Sequence, residues 1–136
     1  MITKEFEKII LDSVLKNDQS GVSEFYIGLC NNESVSRETT MAEIAEITGN
    51  GYARIKINRD SSGWQSFVEQ PDCLSARSVE QVFNPTGDWT PFSRVFLTTV
   101  ASGTSGKLLA VTTALASPVV LTNGNKYPVA FELFLK

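Results

Sequence analysis

The side chains that carry most enzyme chemistry are scarce in this sequence. It has no histidine, the usual general base at neutral pH and the commonest metal ligand, which removes most catalytic triads and most zinc sites. Cys30 and Cys73 lie far apart, in no CxxC pair and beside no recognisable base. Thiolate activation needs such a partner, so both read as free thiols acting as small hydrophobes. A glycosidase needs two facing carboxylates, for which Glu69, Asp72, Glu80 and Asp88 are the available acids. Solvated surface explains them more simply, given how rarely acids are buried. "NRDSSG" (58–63) offers a single carboxylate, Asp60, where a calcium loop needs several oxygen ligands at set spacing. "GTSGK" (103–107) lacks the spacing of a phosphate loop and sits between expected strands. The expectation is a chain with no catalytic residue, no metal or cofactor site and no small-molecule substrate.

Tyr26, Tyr52, Trp64, Trp89 and Phe92 could build an aromatic platform for a sugar, although core packing accounts for them as well. Trp64 beside Gly63 and Trp89 after Asp88 fall in turn-like sequence, where part of the ring can reach a partner. Both are candidate contact residues.

Charge narrows the partners further. Twelve Lys and Arg against fifteen Asp and Glu leave a net charge of −3. The basic residues are scattered, whereas nucleic-acid binding calls for a concentrated positive surface. The opening "MITKEFEKIILDSVLK" has charges every few residues and no small-residue cleavage site, so it does not read as a signal peptide. No apolar run approaches the ~20 residues of a membrane span. A protein made in the cytosol, with neither nucleic acid nor membrane as partner, is expected.

The elements that would position these residues follow from periodicity. Residues 3–17 predict a helix with Thr3 as N-cap, Glu5 and Glu7 in its first turn and Lys16 in its last. Phe6, Ile9, Ile10 and Val14 form one face; Leu11 and Leu15 widen it beyond what a single sheet face needs. Those two leucines either sink into their own domain or meet a neighbouring subunit. "EFYIGLC" (24–30) alternates as a strand with one face in a core, and "NNESVSRET" reads as an exposed loop. A helical turn capped by Thr39 or Thr40 would face Met41 and Ile44 inward. In "TGNGYARIKI" (48–57), Gly49, Asn50 and Gly51 tolerate positive φ and precede an alternating strand from Tyr52 to Ile57. A short edge segment at Trp64 and Phe67, a strand over 74–84, and strands over 94–100, 107–115 and 129–136 complete the series, separated by turn residues. One N-terminal α-helix and about seven strands argue a mainly β fold, an antiparallel β-sandwich or barrel, in one domain over residues 1–136.

The segments "FEKIILDSVLKN", "FYIGLCNN", "EITGNGYARIKI", "VFNPTGDWTPFSRVFL" and "GKLLAVTTALASPVVLTNGNKYPVAFEL" occur in an order that resembles small virion structural proteins of tailed bacteriophages, labelled tail-fibre-like, minor structural or capsid decoration proteins. The similarity covers nearly the whole chain, and Gly51–Arg54 and Leu108–Asn125 carry most of it. The resemblance implies a virion building block without catalytic residues. A capsid decoration, or cement, subunit on the major capsid protein fits a chain with no fibre shaft; a tail-fibre, tail-tip or neck subunit binding a host-surface receptor is the alternative. A homo-oligomer, a trimer at local threefold positions of a shell, is the expected state by analogy. The candidate contact surface is then Leu11, Leu15, Trp64 and Trp89, together with unpaired edge strands.

Overall fold

The structure is a computed structural model that describes residues 1–135. Among them, one α-helix and nine strands are formed, in three antiparallel sheets. The helix, α1, spans Lys4–Lys16. Thr3 caps it as the sequence predicts, its Oγ1 accepting from the Phe6 N–H at 3.3 Å. Asn17 ends it in the left-handed conformation at φ 54°, one of the few residue types that adopts this readily.

The largest sheet has the order β2-β1-β6-β7, with β1 at Phe25–Cys30, β2 at Ile55–Ile57, β6 at Arg94–Thr98 and β7 at Leu108–Val111. Alternation in "EFYIGLC" predicts one buried face, yet Ile27 to Cys30 are all buried. The sheet is covered on both sides. Ile27, Leu29, Leu97 and Leu109 belong to the main core, whereas Cys30, Phe96, Leu108 and Val111 form a second cluster with Met41. The cover over that second face comes from Val35, in the segment expected to be an exposed loop, and from the turn expected to face Met41 and Ile44 inward. That turn is a 3-10 turn at Met41–Glu43, which buries Met41, packs Ile44 and is held where the Thr40 N–H donates to Glu43 Oε1 at 3.2 Å.

The other two sheets are β3 (Val68–Gln70), β4 (Cys73–Arg77) and β9 (Glu132–Leu135) in the order β3-β4-β9, and the pair β5 (Gln81–Phe83) with β8 (Tyr127–Val129). The strands expected over 74–84 and 129–136 are each split. Ser78, fully buried, makes the corner: its Oγ accepts the Phe131 N–H and donates to the Val79 carbonyl, while the Ser78 N–H donates to the Phe131 carbonyl at 2.8 Å. Both chains therefore change sheet at one point. Lys136, the end of the second predicted strand, lies outside the described residues. The three sheets surround the main cluster in a sandwich-like arrangement, with Phe83 and Val129 from the strand pair and Phe92, Trp89 and Phe131 between sheets.

The placement of α1 bears on everything that follows. Residues before it extend the edge of β7: Ile2 bridges Ala110, the Thr3 N–H donates to Leu109 O at 2.9 Å, and the Val111 N–H donates to Met1 O at 3.0 Å. Glu5 then accepts the Leu108 N–H at 3.0 Å. The helix is thus fastened by its N-terminal backbone and by Phe6 and Ile9 against the core, and none of its residues is fully buried. Val14, predicted to face inward with Phe6, is 75% exposed, because only the first half of the helix lies over the sheet.

Candidate contact surfaces and groove

The residues singled out as contacts occupy three different environments. Leu11 and Leu15 are 56% and 74% exposed on the outer side of α1. Trp64 is half-buried, edge-on to Phe25 with ring centroids 5.6 Å apart. Trp89 is 3% exposed and so leaves the contact set. Its indole N–H donates to the Asn50 carbonyl at 2.7 Å, and its ring meets Tyr52 and Phe83 nearly at right angles. The turn that was expected to present it is instead drawn in by bridges to Gly49 and by its own N–H to Leu121 O.

A second exposed apolar region lies at unpaired sheet edges. The sheet β3-β4-β9 projects beyond the main cluster, leaving Val68, Leu74, Phe134 and Leu135 in contact with solvent, with Phe67 just before β3 at 65% exposure. Leu74 pairs with Leu135 on one face, while Val68 and Phe134 flank Ser75 on the other. β3 and β9 are the two edges of this sheet. Period-two patterning suggests one buried face, so apolar residues on both sides signal a strand whose cover lies outside its own core.

Beside this sheet runs a groove of about 730 Å³. Ala76 and Leu133, register partners across β4 and β9, line it together with Phe25, Trp64 and Phe67. Its polar side is the loop after β2. Asp60 Oδ1 accepts from the Ser62 N–H at 2.8 Å and its hydroxyl at 2.5 Å, which lowers the carboxyl's pKa below its ordinary value and keeps it ionised. The loop is closed by Trp64 N–H to Asp60 O at 3.1 Å and pinned beside β4 by Gln65 N–H to Arg77 O and Val79 N–H to Gly63 O, both at 2.9 Å. Arg59 donates to the Val22 carbonyl. The Trp64 indole N–H, in contrast with that of Trp89, has no partner among the described residues.

The acids weighed for catalysis are all exposed: Glu69 on β3, Asp72 in the β3–β4 turn, Glu80 before β5 and Asp88 before Trp89. Among the described residues no three His, Cys, Asp or Glu side chains come together as a metal site, and no helix is long and apolar enough to cross a membrane. The cysteines are both free. Burial pushes the Cys30 thiol up to about 11, leaving it protonated at neutral pH, whereas Cys73 is partly exposed at the start of β4. A thiol reagent at mildly alkaline pH is expected to label Cys73 rapidly and Cys30 only once the protein unfolds. Equal labelling rates in the folded state, followed by mass spectrometry, would contradict this burial.

The network that sequence reasoning missed centres on Arg54. Its guanidinium, 3% exposed, meets Glu46 through Nε at 2.8 Å and Nη2 at 2.9 Å, the carbonyls of Val100 and Gly103 at 3.0 and 2.9 Å, and the face of Phe96 at 5.3 Å. Tyr52 adds a hydroxyl that donates to Glu46 at 2.8 Å and accepts the Leu29 N–H at 3.0 Å. Burial drives the Tyr52 pKa far above its ordinary value, so the phenol stays a donor. Every bond in this set is made within the protein. It is a brace that ties the 46–54 segment and the loop after β6 to the large sheet.

No family model matches the sequence, and no curated protein matches it.

Proposed function

We propose that this chain is a non-enzymatic structural protein of a tailed bacteriophage particle, a capsid decoration protein that binds the outer shell and stabilises it. One observation supports this reading above the others: a capped, backbone-fastened helix that leaves Leu11, Val14 and Leu15 on its outer side. Its chain-start contacts set its position, so those apolar side chains are free to meet a neighbour. The resemblance to phage virion proteins supplies the kind of neighbour, the major capsid protein or other virion proteins. The sheet β3-β4-β9, apolar on both faces and open at two edges, is suited to contacts between copies in a homo-oligomer, a trimer where a shell offers threefold positions. Contacts of modest strength repeated within one oligomer bind at high effective concentration, which is how a small subunit can cement a shell.

The test is a particle carrying Leu11→Glu and Leu15→Glu together. Both positions are exposed, so the free protein should melt within ~0.5 kcal/mol of the parent. The heads should shed the variant and burst at a lower temperature and a milder osmotic shock. Heads that retain it as firmly as the parent would remove α1 from the docking surface.

A tail-fibre, tail-tip or neck subunit that binds a host receptor is the second reading, favoured by the aromatic groove at Trp64.

A further inference from the structure

The groove between the loop after β2 and the sheet β3-β4-β9 is used by neither the core nor the Arg54 brace. We propose that it is a binding site for an uncharged saccharide of a few sugar units, a ligand class that suits a shell subunit and a tail subunit alike.

Three features select that chemistry. First, half of the lining is apolar and aromatic: Phe25, Trp64 and Phe67 stand with Ala76 and Leu133. A pyranose ring has one face made of C–H bonds, and such a face packs flat on an aromatic ring. Second, the charge of the polar rim cancels. Arg59 and Asp60 are adjacent and of opposite sign, and Gln65 adds an amide that both donates and accepts. A rim of zero net charge with mixed donors and acceptors complements hydroxyl groups, each of which also donates and accepts; an anionic or cationic ligand would meet one repelling partner. Third, the site is built before any ligand arrives. The Asp60–Gln65 loop is closed on itself by the Ser62 bonds and fastened to β4 by backbone hydrogen bonds. Binding then orders little chain, which lowers its entropic cost. The volume falls within the range of about 300–1,000 Å³ typical of small-ligand sites.

The chain holds two tryptophans, of which Trp89 is buried away from the groove, so intrinsic fluorescence reports on Trp64 over a constant background. The full-length protein would be titrated with maltotetraose, cellotetraose, chitotetraose and purified bacterial surface polysaccharide, with calorimetry in parallel. A saturable signal with at least one of them is expected. Phe67→Ala, at an exposed position, should leave the melting temperature unchanged and weaken that binding about tenfold, the loss of one aromatic contact. Trp64→Phe should abolish the fluorescence change while calorimetry still detects binding. Absence of both signals with every probe would overturn the proposal, as would binding indifferent to Phe67→Ala. Sedimentation in which Phe67→Ala abolishes self-association, with no saccharide bound, would also overturn it and make the groove an interface between copies.

Discussion

Arg54→Ala is expected to destabilise the protein by about 3–5 kcal/mol, the cost typical of removing one partner of a buried ion pair. The substitution leaves the Glu46 carboxylate and the carbonyls of Val100 and Gly103 without the guanidinium that joins them, and it opens a void over Phe96. For a chain of this size the melting temperature should fall by roughly 10 °C or more. Glu46→Ala should cost less, because Arg54 keeps its two carbonyl partners and Glu46 is partly exposed. In a double-mutant cycle the pair should therefore fall well short of the sum of the single effects. Chemical denaturation of the four proteins measures this. An Arg54→Ala variant within ~1 kcal/mol of the parent would mean that the brace contributes little, as many surface pairs do.

Trp89→Ala should be of similar size, about 3–5 kcal/mol for a large aromatic removed from a packed core. The indole sits in an aromatic group with Tyr52 and Phe83, at centroid separations of 5.3 and 6.1 Å, and also satisfies the Asn50 carbonyl. Its ring lies against Gly49, where an added Cβ would come within 2.2 Å of Trp89 Cδ1, so the glycine is required by the approach of the ring. The outcome separates two roles that sequence alone leaves open. A core tryptophan lowers the stability of the isolated protein, whereas a contact tryptophan lowers only its binding to a neighbour. A variant that unfolds like the parent would restore Trp89 to the contact surface.

These two sites show what could be read from residue types and what could not. The helix cap at Thr3, the 3-10 turn before Ile44 and the positive φ of Gly51 depend on local chemistry, so each is visible in the sequence. Arg54 is hidden for a related reason. In "YARIKI" it alternates with Ile55 and Ile57, which assigns it to the solvent face of a strand. β2 begins only at Ile55, and the loop after β6 closes over Arg54; that closure is a long-range fact that no window of the sequence contains. The corner at Ser78 is similar, since its partner Phe131 is remote in the chain. Patterning also misjudged β1, where a second cluster covers a face that alternation leaves to water.

The candidate site was legible in part. Leu11 and Leu15 stand out because they exceed the apolar width that a helix on one sheet requires. Trp64 and Trp89 share the same signal, an aromatic in turn-like sequence, and the structure separates them: one lines a groove and the other fills the core. Phe67 was placed in a short edge segment, but Phe134 and Leu135 gave no warning, because a strand that is apolar on both sides reads as an ordinary buried strand. Whether such a strand is covered by its own chain or by another is decided by tertiary packing.

That this protein acts by docking a rigid, sheet-built body onto neighbours in a phage particle is tested most directly by quantitative mass spectrometry of purified virions. The proposal predicts the chain in a fixed ratio to the major shell protein, at comparable abundance. Particles that lack it, while the folded protein accumulates in the lysate as a free monomer, would contradict the proposal.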